Sequence, residues 1–495
     1  MNVRLVFRVL GLILLIEAAL LLLPFAVSLI YLDQDGLQDG LTFLQAMIPA
    51  LALGLPLSFI RVKQKNMFSR DGFVIVALSW VMFSLIGCLP FVFSGSIPRF
   101  LDAFFETVSG FTTTGASILH PKALDGMSHC LKFWRCFTNW IGGMGILVFM
   151  LALTPLTGGS SVHILRAEST GPTVEKMTPK LSSTAKHLYL IYMGITGLEM
   201  ILLLIGSCFD KKMAVFDAIV TSLATAGTGG FSVWSDSMAH YSPYCQIVIT
   251  VFMYLFGVNF SLYYLALRGK PLQALKNEEL RVFVVMILAS VGAISLDLYF
   301  NAAALYGGDI GEILRHSFFQ VATVSSTTGF ASADFNAWPA FSKTLMVGLM
   351  FVGSCAGSTA GGMKMSRIIL AFKAVKQDLH VMIHPRSVKS VRLNGKVVSD
   401  EVVNRTVRFL ICYLILFAVS AVIVSLDGND LETGFTSVAA TLNNIGPGLA
   451  KVGPAGNYAG FSALSKVVLI LDMLIGRLEI FPMLLLFSPS AWKGQ

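Results

Sequence analysis

Apolar residues run along this chain in long blocks that are separated by short polar stretches. About 20 apolar residues are enough for a helix to cross a lipid bilayer. The pattern therefore predicts ten membrane-spanning helices, at roughly residues 9–31, 41–60, 73–95, 133–155, 186–208, 244–267, 280–302, 340–372, 405–426 and 463–488. The first block is longer than the signal-peptide core of about 7 to 15 residues, so we expect it to be retained.

Four shorter apolar segments lie between the later blocks, and each is too short to cross the bilayer. They cover residues 101–110, 216–226, 313–325 and 431–442. A turn follows each segment, and we number these turns 1 to 4. Their sequences are Thr112-Thr113-Thr114-Gly115-Ala116, Gly227-Thr228-Gly229-Gly230-Phe231, Ser326-Thr327-Thr328-Gly329-Phe330 and Asn443-Asn444-Ile445-Gly446-Pro447.

The order of span, short helix, turn and span occurs four times after the first two spans. The sequence therefore predicts an all-α membrane protein in which four pseudo-symmetric repeats surround one pore, with two extra helices at the N-terminus. The expected units are residues 1–68 for the N-terminal helix pair, then 69–165, 166–272, 273–395 and 396–495 for repeats 1 to 4.

The turns are the candidate ion site. Irregular backbone at membrane depth occurs only where protein encloses it or where it lines a wet pathway. Each short helix has an acid at or near its start, namely Asp102, Asp217, Glu312 or Glu432, where a carboxylate can cap N–H groups and favour the positive end of the helix dipole. The negative end then faces the turn, where it favours a cation. Turn carbonyl groups can replace the hydration shell of potassium, so the sequence predicts an ion pore.

Composition supports a membrane protein and charge sets its orientation. Of the 495 residues, 55% are hydrophobic and only 13% are charged, which is typical of a membrane protein. Although the net charge is +8, the Lys and Arg residues concentrate on the side that ten spans assign to both termini. This bias follows the positive-inside rule, so we expect cytoplasmic termini and no nucleic-acid partner. No Walker loop or dinucleotide fingerprint is present in the sequence, so any nucleotide control should come from another protein.

Several motifs resemble the Trk/Ktr/HKT superfamily of potassium transporters, and the match runs nearly end to end. They are turn 1 with Leu101-Asp102-Ala103-Phe104-Phe105-Glu106, turn 4 with Gly448, Trp140-Ile141-Gly142-Gly143-Met144-Gly145, Gly357-Ser358-Thr359-Ala360-Gly361-Gly362-Met363-Lys364 and Gly476-Arg477-Leu478-Glu479-Ile480-Phe481. The two extra leading spans make the chain similar to the bacterial TrkH and TrkG branch. The resemblance implies potassium uptake across the bacterial inner membrane, a homodimer, and regulation by cytosolic TrkA-type nucleotide-binding subunits. It implies no bound cofactor and no enzymatic activity.

The resemblance also implies which residues bind potassium in a selectivity filter. The glycine shared by every turn matches Gly115, Gly229, Gly329 and Gly446. The neighbouring carbonyl groups come from Thr113, Thr114, Gly227, Thr228, Thr327, Thr328, Asn444 and Ile445. Because the four turns differ in sequence, we expect looser discrimination against rubidium than in a filter of four identical strands.

A run of small residues in the eighth span is a candidate gate. It extends over residues 353–362 and includes Gly353, Gly357 and Gly361, whose spacing of four also suits close packing of two membrane helices. The absence of large side chains favours unwinding instead. The resemblance implies a flexible loop that blocks the closed pore beneath the filter, with Gly353, Gly357, Ser358, Thr359, Gly361 and Gly362 as gate residues.

Arg477 is a charged residue within the last span. A charge at the centre of a membrane helix costs about 2.5 to 3.5 kcal/mol on insertion scales, so it should face protein or water. One interpretation is a structural ion pair with an acid such as Asp472, Glu479, Glu199 or Asp297. The other, implied by the resemblance, is a gating residue that lies below the filter and repels cations.

Three alternatives remain open. A proton- or sodium-coupled potassium symporter can share this architecture with a channel. A secondary transporter with broken helices predicts inverted repeats and one midplane site. A membrane-embedded enzyme should carry polar clusters within its spans, and the sequence has none. The basic stretch at residues 373–396 fits either a docking surface for a partner or an ordinary positive-inside loop.

Overall fold

The computed structural model describes residues 2–62, 69–145, 181–209, 211–386 and 390–489. The described chain is mostly helical. In chain order its helices are α1 Val3–Leu20, α2 Leu22–Ile30, α3 Leu32–Asp35, α4 Gln38–Ser58, α5 Ser69–Gly87, α6 Leu89–Phe93, α7 Phe100–Phe111, α8 Pro121–Asp125, α9 His129–Gly143, α10 Leu181–Ser207, α11 Val215–Gly227, α12 Pro243–Gly257, α13 Phe260–Leu267, α14 Pro271–Leu275, α15 Glu278–Asn301, α16 Ile310–Ser325, α17 Ala340–Phe351, α18 Met365–Ile383, α19 Asp400–Val424, α20 Leu431–Leu442, α21 Ala463–Arg477 and α22 Phe481–Leu486.

One small hairpin interrupts the helical chain. Strand β1 (Arg392–Leu393) pairs antiparallel with β2 (Lys396–Val397), so that Arg392 lies opposite Val397. Asn394 and Gly395 form the connection, with φ of 52° and 76°. Positive φ at both positions is typical of the tight Asn-Gly turn of a two-residue hairpin.

Six helical segments in the described residues are long and apolar enough to cross a membrane. They are Val3–Ile30, Gln38–Ser58, Arg70–Phe93, Ala185–Ser207, Glu278–Asn301 and Asp400–Asp427. Each coincides with one of the predicted spans. Large apolar side chains on several of these helices are exposed, for example Ile48, Leu190, Val285 and Val422. An apolar surface of this kind suits a lipid environment, so the molecule is a polytopic membrane protein.

The remaining predicted spans do not form uninterrupted helices. The block at 244–267 bends by 91° between Gly257 and Phe260. The block at 340–372 is interrupted by residues 352–364, and the last block is interrupted between Arg477 and Phe481. In the block at 133–155 the helix ends at Gly143, and residues 146–155 lie outside the described part. The sequence predicted an interruption only in the eighth span, so the breaks at Gly257 and Arg477 are a correction.

The four short segments fold as helices α7, α11, α16 and α20, within a few residues of their predicted bounds. Each ends at its turn and packs against the helix that precedes or follows it in its own stretch of chain, as α11 does against α10 and α20 against α21. The predicted unit boundaries at residues 68 and 165 lie outside the described residues. The boundary at 272 falls within α14, and that at 395 falls in the β hairpin.

The acids at the starts of the short helices do less capping than expected. Asp102 accepts a hydrogen bond from the Lys466 ammonium at 2.7 Å, and Asp217 accepts one from the Trp234 indole at 3.0 Å. The side-chain caps of α16 and α20 come instead from the preceding residues, Asp309 and Asp430. All four predicted acids still lie in the first turn of their helices, where a negative charge favours the helix dipole.

Candidate functional site

The four short helices end in the same backbone geometry. A residue within two positions of each helix end has a left-handed conformation: φ is 56° at Thr113, 52° at Thr228, 55° at Thr327 and 54° at Asn444. The next N–H group bonds back to the carbonyl five residues earlier, in pairs that join Thr114 to Ser109 (2.8 Å), Gly229 to Ala224 (3.1 Å), Thr328 to Thr323 (2.8 Å) and Ile445 to Ala440 (2.8 Å). This is a Schellman helix end formed four times.

Three of these left-handed residues are threonines. A β-branched residue rarely adopts positive φ, and each such conformation costs on the order of 1 to 3 kcal/mol. It persists only where the surrounding structure holds it. Thr113, Thr228 and Thr327 are all fully buried. Strain at the same position of three turns is typical of a functional site.

The shared backbone geometry shifts the alignment of turn 2 with the other three turns by one residue from the sequence-based alignment. The second positive φ of each turn lies at Gly115 (77°), Gly230 (68°), Gly329 (87°) and Gly446 (94°). Gly230, and not Gly229, is therefore the counterpart of the other three glycines. Because Gly229 and Gly230 are adjacent, the sequence of turn 2 can be aligned with either glycine as the shared one. The left-handed conformation of Thr228 decides in favour of Gly230. Gly229 is the counterpart of Thr114, Thr328 and Ile445.

The four glycines connect the turns into a closed ring. A methyl group on Gly115 would lie 2.4 Å from the Gly229 carbonyl oxygen, and one on Gly230 would lie 2.0 Å from the Thr328 oxygen. The same contact joins Gly329 to Ile445 at 2.1 Å and Gly446 to Thr114 at 2.5 Å. Each turn thus packs on the next, and turn 4 packs on turn 1. All four glycines also line one open cavity.

The quarters of this ring have different side chains. Thr112 and Thr114 share a hydrogen bond of 2.8 Å between their hydroxyl groups, and Ser326 and Thr328 share one of 2.7 Å. Turn 2 has glycine at both corresponding positions. In turn 4 the Asn444 amide donates to the Thr114 hydroxyl at 2.9 Å, which adds a contact between turns 4 and 1.

The run of small residues forms a loop, residues 352–364, that lies directly against the ring. The Gly361 N–H donates to the Thr327 hydroxyl at 2.7 Å, and a methyl group on Gly361 would lie 2.7 Å from Asn444 Cβ. The Thr359 N–H and hydroxyl donate to the Phe256 carbonyl oxygen at 3.4 and 3.2 Å. The loop therefore contacts turns 3 and 4 and the end of α12.

The other predicted gate residues shape this loop. The Gly353 N–H donates to the Met363 carbonyl at 2.8 Å and brings the two ends of the loop together. Gly357 and Gly362 have φ of 71° and 70°, which glycine adopts without strain. The Ser358 hydroxyl donates to the Cys355 carbonyl at 2.6 Å. The structure thus brings all six predicted residues into one unwound segment rather than a helix packing face.

Glu279 connects the same loop to the first turn of α18. One of its carboxylate oxygens accepts a hydrogen bond from the Ala356 N–H at 2.8 Å and another from the Ser366 N–H at 2.9 Å. Glu279 is buried at the start of α15, a helix from a different part of the chain. Its neighbour Glu278 forms an ion pair with Lys373. The sequence analysis missed Glu279, because a Glu-Glu pair at a helix start resembles an ordinary N-terminal charge.

Arg477 lies between turn 1, the loop and α9. Its guanidinium donates to the Thr113 hydroxyl at 3.0 Å and to the Thr359 carbonyl at 2.7 Å. It also donates to the carbonyl groups of Gly142 and Gly143, the latter at 2.8 Å. One side chain therefore joins three elements beside the ring.

Three of the four acids expected as possible partners of Arg477 have other contacts. Glu479 forms an ion pair with Arg367. Asp472 accepts from the Ser420 hydroxyl at 2.7 Å, and Asp297 accepts from the Ser342 hydroxyl at 2.5 Å. The fourth acid, Glu199, is fully buried in α10. Lys364 is buried and donates to the Ala360 carbonyl in the loop. On the loop side of the ring, positive side chains therefore lie together with the carboxylates of Glu479 and Glu279.

A ring of strained turns enclosed by apolar helices, with a polar loop and a guanidinium on one side, defines a membrane transport protein. The chain belongs to the TrkH family of cation transport proteins, whose family model matches residues 40–493. The family consists of transporters and not of enzymes.

Curated relatives match most or all of the chain. It is 37% identical over 498 residues to the Trk system potassium uptake protein TrkH of Salmonella typhimurium, with full coverage of both chains. It is 31% identical over 431 residues to the Escherichia coli protein TrkG, covering 86% of each chain. The crystal structure of the potassium transporter TrkH from Vibrio parahaemolyticus matches with a TM-score of 0.88 at 33% identity, again over all of both chains.

Proposed function

We propose that this protein conducts potassium ions across the bacterial inner membrane through the ring of four turns. The observation that carries the proposal is the closed sequence of glycine–carbonyl contacts, which runs from turn 1 to turn 4 and back to turn 1. Four backbone turns around one axis present carbonyl oxygens, the ligand type that replaces the hydration shell of potassium. The named relatives are potassium uptake proteins.

The filter in this proposal consists of the residues expected from the sequence with one addition. The carbonyl-bearing positions are Thr113, Thr114, Thr228, Gly229, Thr327, Thr328, Asn444 and Ile445, and Gly227 precedes them in turn 2. The shared glycines are Gly115, Gly230, Gly329 and Gly446. Gly230 is added to the filter because its positive φ and its contact with the Thr328 carbonyl match the φ values and carbonyl contacts of the other three glycines.

The gate is the loop at residues 352–364 together with Arg477. The loop contacts two turns and Arg477 bridges it to a third. A fixed positive charge beside a cation path raises the electrostatic barrier to entry, so the arrangement suits a resting, non-conducting state. Release of the loop would remove a physical obstruction and displace the Thr359 carbonyl from Arg477.

The architecture in this proposal has ten membrane-spanning helices, two N-terminal and eight in four repeats. Both termini are cytoplasmic, and two copies form a homodimer in the inner membrane. The helix α18 and the β hairpin carry the basic stretch, and a TrkA-type nucleotide-binding subunit docks on this face. The link from Glu278 to Lys373 and from Glu279 to the loop gives that docking a short route to the gate.

The test measures potassium and sodium flux into proteoliposomes that contain the purified protein. Gly115→Ser places a side chain against the Gly229 carbonyl at a residue with positive φ, so sodium flux should rise relative to potassium flux. Gly434→Ser is the matched control, because a side chain there meets no atom within 4 Å. Unchanged selectivity in a folded Gly115→Ser protein would contradict the filter.

A second experiment separates a channel from an ion-coupled symporter. Single-channel recording in planar bilayers detects unitary currents that far exceed the turnover of a carrier. Unitary potassium currents support the pore. Potassium flux that requires a proton or sodium gradient, without unitary currents, supports the symporter. The broken helices at Gly257, Phe351 and Arg477 are also a feature of secondary transporters, which is why this alternative is tested.

A further inference from the structure

Turn 2 lacks two side chains that the other turns have. Gly227 corresponds to Thr112, Ser326 and Asn443, and Gly229 corresponds to Thr114, Thr328 and Ile445. Neither glycine has a positive φ, so the backbone at these two positions accepts an L-residue without strain. The reason for glycine must therefore be space.

Asn139 occupies that space. A methyl group on Gly229 would lie 2.2 Å from Asn139 Cγ and 2.5 Å from Nδ2. A methyl group on Gly227 would lie 2.1 Å from the Asn139 carbonyl oxygen. One residue of α9 thus contacts both glycines of turn 2, its backbone on the first and its side chain on the second.

The amide of Asn139 is buried without a hydrogen-bond partner among the described residues. The side chain has no solvent exposure, and neither Nδ2 nor Oδ1 has a protein partner in the described chain. Buried polar groups are usually hydrogen-bonded. The Asn139 amide instead lies directly against the turn with no bond to another part of the described chain.

We infer that Asn139 is a positioning residue that determines ion specificity in turn 2. Its planar amide occupies the space that the side chains of Thr114 and Thr328 fill in turns 1 and 3, and it packs behind Gly229. The Gly229 carbonyl packs directly on Gly115 of turn 1, so a shift of Gly229 changes the spacing of two quarters of the ring. The inference rests on the proposed function of the ring as a potassium filter.

The main test compares variants of the full-length protein in the proteoliposome flux assay. Asn139→Ala removes the amide and leaves a void, while Asn139→Leu fills similar volume without polarity. Because each variant changes the side chain that packs behind Gly229, both should lower potassium over sodium selectivity by about threefold or more. Wild-type selectivity in Asn139→Leu would show that volume alone matters and would overturn the inference.

A reciprocal pair of variants tests the contact itself. Gly229→Thr should lower selectivity because its side chain overlaps Asn139. Asn139→Gly combined with Gly229→Thr moves the side chain from the helix to the turn and should recover selectivity toward the wild-type value. Additive losses in the double variant would mean that the two residues act independently, which contradicts the inference.

Two controls separate this inference from folding and from the proposed filter. Thr42→Val removes a buried hydroxyl of α4, which bonds the Asp39 carbonyl within the N-terminal helix pair and outside the four turns; it should leave selectivity intact. Gly115→Ser reports on the filter. If Gly115→Ser lowers selectivity while the Asn139 variants do not, the inference about Asn139 is wrong but the filter proposal is not contradicted. If neither changes selectivity, the filter proposal fails.

Discussion

The guanidinium of Arg477 donates a hydrogen bond of 3.0 Å to the hydroxyl of Thr113, the strained residue of turn 1. The same guanidinium bonds the Thr359 carbonyl of the loop. A residue near the end of the chain is therefore connected both to the first quarter of the ring and to the segment that obstructs it. This connection makes Arg477 the most direct link between ion binding and gating in the molecule.

Arg477→Gln should raise resting potassium flux. The substitution removes the positive charge and at least part of the bridge, so the barrier to cations falls and the loop is released; we expect an increase of several fold in proteoliposomes without any partner. Arg477→Lys keeps the charge, yet one ammonium cannot span the four carbonyl and hydroxyl acceptors. An intermediate flux for lysine would show that charge and bridging both contribute. Unchanged or lower flux in folded Arg477→Gln would refute the gating role.

Thr327→Val should also raise resting flux while the protein keeps its fold. Valine has nearly the shape of threonine and lacks the hydroxyl that accepts the hydrogen bond from the Gly361 N–H. The loop then loses its polar contact with turn 3, a bond worth about 0.5 to 1.5 kcal/mol. Thr344→Val is a matched control, because its exposed hydroxyl bonds only within α17. Equal flux from the two variants would count against a loop held by turn 3.

Glu279→Ala should release the loop from the start of α15 and loosen its junction with α18. It removes the oxygen that accepts from the Ala356 and Ser366 N–H groups, so we expect resting flux above that of the wild type and faster proteolysis at the loop. Glu279→Gln retains one acceptor oxygen, so its resting flux should lie between those of the wild type and Glu279→Ala. Glu278→Ala loses the neighbouring pair with Lys373 but keeps the loop contacts, and its resting flux should stay near the wild type. A closed, unaltered Glu279→Ala protein would show that the loop needs no such anchor.

The cap of α20 should give the protein a component of stability that depends on pH. Hydrogen bonds from the Thr433 hydroxyl and N–H lower the pKa of Asp430. Because the folded pKa lies below the unfolded value of about 3.9, this stabilisation is complete above that value and is lost as the pH falls through the folded pKa. An asparagine at position 430 can cap α20 but has no carboxyl group to protonate. The thermal midpoint of Asp430→Asn should therefore rise relative to that of the wild type as the pH is lowered. Asp430→Ala should cost about 0.5 to 2 kcal/mol at neutral pH.

Thermal unfolding in detergent at pH 7 and near pH 3 measures this effect. A constant difference between wild type and Asp430→Asn across that range would mean that Asp430 stays in one protonation state. Such a result would contradict a carboxylate cap.

Much of the helical architecture follows from apolar block length. The blocks at 41–60 and 405–426 fold as single helices near their predicted bounds, because a long apolar run has no other stable form in lipid. The four short helices were also predictable, since each apolar run is bounded by a Gly-rich turn. The bend after Gly257 was not predicted, because Gly257 and Asn259 lie inside one continuous apolar block. Asn259 caps α13 by accepting from the Ser261 N–H at 2.8 Å, and the loop bonds the Gly257 carbonyl through the Cys355 N–H at 3.1 Å.

The residues of the site also divide into those that the sequence could predict and those that it could not. Thr113, Thr327 and Gly329 could be placed from their motif, and the structure assigns them matching backbone geometry. The register of turn 2 could not be read from letters, because Gly229 and Gly230 are identical in type and differ only in φ. Asn139 was equally hidden, since it lies about 90 residues before the turn it contacts and no local pattern marks it.

The closed ring of glycine contacts has a consequence for how such a filter can change. Because each glycine rests on a carbonyl of the following turn, a substitution in one quarter is felt first by its neighbour and then by the next. No single turn can therefore vary independently of the two turns that it contacts. Any redesign of ion preference in this molecule therefore has to consider each contact between adjacent turns of the ring.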